Sequence, residues 1–380
     1  MAGGSGGWRR GAGLLASLLL AGSVALFPGT GASGFGTIAT GGQNREHERI
    51  TRAAVACPEG DDDTCFQARS ISQLAGDGKQ FGAVGSPDLT ESLNPAAHCD
   101  DADFLNDGDV QTAAGYPRTR DQATTRLHEC IDHLRDRFRE AVTDADGLLD
   151  ANGDIAGAEV DLGNDCVPGA AAERRAKCAT LEAFGRALHG AQDFYSHSNW
   201  ADAADPSRPA GPENPPGLNL PAPSALFDLR GTGTPAIPDG LTTGCFVVPD
   251  QPAGVAKCRN RVTHAALNKD TGLVDPATGA TSDPTTPRGQ VGDNFAKAVT
   301  GAIVETRRQW DDLRDALRTT YGRNAGDKMA CALTHDDPVN DCRRRNATML
   351  AVVAAGILLL GGAAVARWLI VRRRPRADRT

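Results

Sequence analysis

The chain has 380 residues, with 48 acidic against 40 basic side chains and a formal net charge of −8. An acidic chain whose arginines crowd its two ends lacks the broad basic face of sequence-independent nucleic-acid binding, so no duplex nucleic-acid partner is expected. The length allows a sizeable core in one domain or two close ones.

Residues 1–33 read as a secretory signal peptide. Trp8-Arg9-Arg10 gives a positive start, Leu14 to Phe27 an apolar run, and Ala32, Ser33 and Gly34 a small-residue cleavage region. The run is short for a span and is followed by Pro28 and glycines, which favours cleavage over an uncleaved anchor. An exported body, residues 34–345, follows. All ten cysteines lie in it, an even number that suits disulfides in an oxidising compartment. Spacing leaves the connectivity open. The simplest pairing joins neighbours: Cys57 with Cys65, Cys99 with Cys130, Cys166 with Cys178, Cys245 with Cys258, and Cys331 with Cys342. A cysteine metal cluster is the poorer reading, because no Cys-x-x-Cys occurs.

Helix signals dominate the body. Arg45 to Ala56 reads as a helix containing His47. The loop His98-Cys-Asp-Asp-Ala-Asp103 offers oxygens; Asp101 or Asp103 would be the useful acid, and Asp101 is assigned as general base on a metal-activated water, against the alternative of a solvated acidic turn. Thr119 to Val142 carries the stripe Leu127, Ile131, Leu134, Phe138, Val142 of one helix face. His128 sits at the edge of that stripe and suits an internal site, whereas His133 points to solvent.

Ala171 to about His197 forms the next helix. His189, Asp193 and His197 recur every four residues, on one face. Leu181, Phe184, Leu188, Ala191 and Tyr195 flank that row on one side; Ala183, Ala187 and Phe194 flank it on the other. The row therefore faces an internal cleft, where polar groups must be paired or metal-bound. Two imidazoles and a carboxylate suit a transition metal, most often zinc; a buried hydrogen-bond network is the rival. The i to i+8 span is about 12 Å, too long for one tetrahedral ion, so Asp193 would bridge between His189 and His197. His47 and His128 are the natural further ligands, His264 a weaker one, and His335 reads as surface.

Asp202 to Gly240 and Thr271 to Pro287 are Pro/Gly-rich loops. Asp293 to Thr320 is an amphipathic helix through Phe295, Val299, Ala302, Thr306, Trp310, Leu313 and Leu317. A Gly-rich phosphate loop followed by Lys is absent from the sequence, as is Gly-x-Ser-x-Gly. Met349 to Val371 reads as one transmembrane helix, charged only at Arg367, with residues 372–380 as a basic cytoplasmic tail and the lipid bilayer as partner. Arg343, Arg344 and Arg345 weaken the positive-inside argument, so an extracellular body rests on the signal peptide. Asn346-Ala-Thr348 matches a glycosylation pattern.

Residues 188–200, LHGAQDFYSHSNW, resemble the signature of the HET-C related proteins, in particular the CinY-type proteins of actinobacteria. Leu267-Asn-Lys-Asp270 and His47-x-x-Ile50-Thr-Arg-Ala are similar to the same group, and the resemblance covers most of the exported body. That group is distantly similar to zinc-dependent phospholipases C and single-strand nucleases. The resemblance implies an all-α domain, a zinc cluster with ligands from several helices, and phosphoester cleavage. By motif, His189 and Asp193 match a His-x-x-x-Asp ligand pair whose Asp bridges two metals, His47 an early-helix ligand, and His128 a middle-helix ligand. The chain departs in three places. His197 follows the Asp by four residues rather than six, no Trp near Gly34 stands for the N-terminal Trp ligand, and no His-x-x-x-Glu follows Trp200. The expectation is an all-α, multi-helix exported domain with long loops, anchored by one C-terminal helix. It would hold one or two zinc ions on His47, His128, His189, Asp193 and His197, and hydrolyse phospholipid or another phosphoester. A non-enzymatic cell-surface protein with a structural metal or a hydrogen-bonded helix core is the alternative.

Overall fold

The computed structural model describes residues 34–58, 64–106, 108, 116–169 and 175–342. The segment expected as a signal peptide, the apolar segment expected to cross a membrane (Met349 to Val371), the basic tail and Asn346 lie outside these residues. Among the described residues, no helix is long and apolar enough to cross a membrane.

The fold is mostly helical. Its helices are α1 (Glu46–Val55), α2 (Ala68–Ala75), α3 (Pro87–Thr90), α4 (Arg120–Asp144), α5 (Gly157–Val160), α6 (Ala176–His197), α7 (His264–Leu267), α8 (Asn294–Tyr321) and α9 (Arg323–Thr334). The expected helices correspond to α1, α4, α6 and α8. Thr119 caps α4 through a reciprocal box with Gln122, the local reason that helix starts where it does. The loop expected over 271–287 contains a two-residue hairpin, with β1 (Leu273–Val274) antiparallel to β2 (Thr281–Ser282).

Helix α6 is the axis of the molecule. From Ala187 to its end every residue is buried, and it packs against α4 on one side and α8 on another, with α2 also in contact. Apolar flanks on both sides of the polar row account for this, since each flank needs its own neighbour. Phe194 meets Trp200 and Phe227, and Phe184 meets Trp310. Each such side chain contributes roughly 1.5–3 kcal/mol by burial. Gly190 allows a loop to reach the helix: a Cβ there would lie 2.5 Å from the carbonyl oxygen of Ala97, beside His98.

All five disulfides join the neighbouring cysteines of the simplest pairing. Four close loops of 8 to 13 residues, and Cys99–Cys130 spans 31. Such a set suits an exported protein. His335 corrects the sequence reading: it is buried, not on the surface. It caps the C-terminus of α9, and its carbonyl accepts hydrogen bonds from Ser70 and Lys177.

Lys177 is itself buried, with Nζ 2.8 Å from Ser70 Oγ and 2.7 Å from the His335 carbonyl. Burial pushes its pKa down to about 7, against partial support from Asp336. The unfolded chain then holds one more proton than the folded chain between about pH 7 and the ordinary lysine range, so this group makes stability rise with pH across that window. Denaturant unfolding of Lys177→Met should show a flatter rise between pH 7 and 9 than the parent chain. Parallel pH profiles would contradict the assignment.

Candidate metal centre

Helix α6 delivers His189 and Asp193 one turn apart, α1 delivers His47, α3 delivers Asp88, and the loop before α4 delivers His98. The Asp193 carboxylate has no solvent exposure. Its Oδ2 lies 3.0 Å from both His189 Nε2 and His98 Nδ1, while its Oδ1 lies 3.1 Å from His47 Nε2 and accepts the Phe35 N–H at 3.2 Å. Asp88 Oδ1 stands 3.7 Å from His189 Nε2 and 4.0 Å from His98 Nδ1, which are 3.0 Å from each other. The five separations among Asp193 Oδ2, Asp88 Oδ1, His189 Nε2 and His98 Nδ1 run from 3.0 to 4.0 Å, and His98, His189 and Asp193 form one compact trio of ligand atoms, with Asp88 beside it. A tetrahedral ion with metal–nitrogen bonds of 2.0–2.1 Å has ligand edges of roughly 3.4 Å, within the observed spread.

The outer hydrogen bonds fix which nitrogens face inward. His189 Nδ1 meets the Val84 carbonyl at 2.8 Å and must donate to it, leaving the Nε2 lone pair inward. His98 Nε2 meets the Glu91 carbonyl at 3.3 Å, leaving Nδ1 inward. For His47, Gln192 decides. Its Nε2 donates to Thr51 and Thr306, so its Oε1 faces His47 Nδ1 at 2.7 Å and receives that N–H. His47 Nε2 is left without a hydrogen-bond partner in a buried setting. Three inward lone pairs around a buried carboxylate need a proton or a cation among them.

A second cluster lies one turn further along α6. His197 Nε2 and His264 Nε2 are 3.0 Å apart, with Asp270 oxygens at 3.4 and 3.7 Å. Asp100 holds His197 Nδ1 at 3.1 Å and Asp250 holds His264 Nδ1 at 2.7 Å, so both imidazoles are oriented by carboxylates, as metal-ligating histidines usually are. Asp270 Oδ2 has no hydrogen-bond partner. This cluster offers three donors from α6, α7 and the turn after α7. His264 reaches it because Gly244 lets the 262–264 segment pass: a Cβ on Gly244 would lie 2.2 Å from His264 Cα.

Charge follows this geometry. Burial works against ionised Asp193, yet His189, His47 and His197 hold its pKa well below the usual carboxylate range. Burial works against charged His197, yet Asp100 and Asp193 carry its pKa well above the ordinary value. His189 is lowered by its burial.

The structure brings together His47, His189 and Asp193 as the helix motif suggests, and sets His197 in the neighbouring cluster. His128 stands apart. Its Nε2 faces the Pro235 carbonyl at 3.3 Å, because the core face of α4, bearing Leu127, Ile131 and Leu134, turns the edge of the helix toward that loop. Asp101 turns away too: it accepts from Phe246 N–H and Lys257 Nζ. Asp103 binds Arg261. His133 pairs with Glu91 at 3.2 Å rather than facing open solvent. The residues missed are Asp88, His98, Asp100, Asp250 and Asp270. Only the alternation His98-Cys99-Asp100, a potential ligand on either side of a cysteine, was a readable signal. A Cys331–His335–Cys342 group also lies close together, but its sulfurs are joined in a disulfide and are not thiolate donors.

Cys99 is the pivot of the missed loop. It is buried, bonded to Cys130 on α4, and left-handed at φ 54°; Asp101 is left-handed at φ 64°. Non-glycine residues adopt that conformation at a cost of about 1–2 kcal/mol, so the surroundings must impose it. The link sends His98 to Asp193 and Asp100 to His197, the two clusters at once. No family model matches the chain, and neither curated proteins nor solved structures include a significant match.

With zinc as the probe metal, replacing Cys99 and Cys130 together by Ser should lower affinity about 10- to 100-fold below the melting temperature, as lost outer-shell support does elsewhere. Removing Cys331–Cys342 should lower stability while leaving zinc affinity unchanged. Equal zinc affinity in both double variants, read by competition with a chromogenic chelator, would contradict the pivot role.

Proposed function

We propose that the two clusters form a zinc centre that hydrolyses phosphoesters. The observation that carries the proposal is the convergence of inward imidazole nitrogens on buried carboxylates, with His47 Nε2 and Asp270 Oδ2 making no hydrogen bond. His98, His189, Asp193 and Asp88 would hold one ion. His197, His264 and Asp270 would hold a second. When bound, zinc withdraws charge from phosphoryl oxygens and acidifies a nearby water.

The protein's own groups have defined tasks. Asp193 spans the first cluster, one oxygen toward His189 and His98 and the other toward His47. Asp100 and Asp250 hold the His197 and His264 rings in place. Asp88 keeps 11% side-chain exposure while Asp193 has none, so Asp88 is the carboxylate of the first cluster that water can reach. The resemblance to zinc-dependent phospholipases C supports the phosphoester assignment. The backbone of Phe35 reaches Asp193, in the place where that comparison lacked an N-terminal Trp. The exported body would be held beside lipid by the Met349 to Val371 segment, which makes phospholipid the first substrate class to test.

The full chain should carry zinc and release phosphocholine from phosphatidylcholine, with activity lost on chelation and restored by zinc. Asp193→Asn should lower zinc affinity about 10- to 100-fold. Zinc without turnover on phosphatidylcholine or single-stranded nucleic acid would favour the rival, a cell-surface protein with a structural metal. Absence of zinc would overturn the proposal and favour the other form of the rival, a hydrogen-bonded helix core.

A further inference from the structure

A groove of about 500 Å³ opens between the start of α4 and the 257–261 loop. Five cations line it, Arg118, Arg126, Lys257, Arg259 and Arg261, and Glu129 is the one acid in its lining. In a chain of net charge −8 this is a local reversal of sign. Arg126 pairs with Glu129 at 2.6 Å, Lys257 with Asp101, and Arg118 and Arg261 with Asp103, so five cations face three acids and two positive charges remain in excess. Asp103, which has no side-chain exposure, receives Arg261 Nε at 2.8 Å, has Arg118 Nε at 3.7 Å, and also accepts from the Tyr116 hydroxyl. Two guanidiniums thus share one buried carboxylate, which fixes their planes and leaves positive charge in excess. Lys257 pairs with Asp101 at 2.9 Å but keeps 53% side-chain exposure, and Arg126 keeps 50%. Arg259 is exposed, and its side chain has no partner among the described residues.

The groove and the metal clusters share one scaffold. Asp101 and Asp103 continue the loop that carries His98 and Asp100. Arg261 precedes His264 by three residues, a reach of at most roughly 10 Å of extended chain. The Cys245–Cys258 disulfide and the pairing of Cys245 with Val262 and His264 tie the two segments together. Fixed guanidiniums beside exposed ammonium and guanidinium groups suit the several oxygens and multiple charge of a tetrahedral phosphate better than a single carboxylate.

We propose that this groove is a binding site for a phosphate group, separate from the metal clusters. Its meaning for catalysis rests on the phosphoester reading: a substrate bearing a second phosphate would anchor here while its scissile ester reaches the histidines. The preferred substrate is then an ester with an additional phosphate rather than a zwitterionic one.

The test is calorimetric titration of inorganic pyrophosphate into the full chain after zinc has been stripped, repeated on the zinc-loaded chain to guard against loss of structure. Lys257→Glu with Arg259→Glu should weaken binding at least about tenfold in both forms, and added salt should weaken binding to the parent chain. Arg314→Glu, in a different groove, should leave it unchanged. Competition distinguishes the source: vesicles containing phosphatidic acid that displace pyrophosphate point to a lipid headgroup, and displacement by glycerol phosphate alone points to a soluble ester. Equal pyrophosphate affinity in the double variant and the parent would overturn the proposal, as would binding only to single-stranded oligonucleotides. Because the stripped chain is measured, failure of the zinc reading and failure of this site give different results.

Discussion

A carboxylate with no access to water sits at the centre of this molecule, and the fold is arranged around it. Moving an ion of that size out of water costs several kcal/mol even after relaxation, and Asp193 recovers that cost only through close partners. Three imidazoles and one backbone N–H supply them, from α1, α6, the loop before α4 and the chain near Phe35. Phe35, His47 and His98 each stand more than ninety residues before Asp193 in the chain. Removing one partner exposes the others to an uncompensated charge. The centre is therefore a folding constraint as well as a candidate site.

The two clusters differ in a way that matters chemically. The first gathers His98, His189 and Asp193 with the partly exposed Asp88 beside them, whereas the second is fully buried and has carboxylates that hold its histidines from behind. Helix α6 sets their separation through the four-residue repeat of His189, Asp193 and His197. The loop around Cys99 repeats that separation with His98 and Asp100, so a rigid helix and a cross-linked loop present matching rows to each other.

Much of this was legible in the sequence where periodicity governs. Helices α1, α4, α6 and α8 follow from their apolar stripes, and the polar row of α6 is buried because apolar residues flank it on both sides. The disulfides match the simplest neighbour pairing, although spacing alone leaves the connectivity open. The loop residues were not legible, since nothing in local composition says that His98 turns inward while Asp101 turns out. That choice is made by two left-handed residues and a cysteine pinned to α4. His128 shows the converse: a histidine at the edge of a helical stripe is placed by a rotation of a few tens of degrees, finer than a stripe can specify. His264 and Asp270 needed the close passage at Gly244, a tertiary fact.

The central claim is that cations, not protons, lie among these inward lone pairs. Anomalous diffraction at the zinc edge from crystals of the full chain tests it directly. The account predicts one peak within bonding distance of His98 Nδ1, His189 Nε2 and Asp193, and a second between His197 Nε2 and His264 Nε2. Well-ordered histidines with no anomalous signal at either position, in crystals grown with zinc, would contradict it.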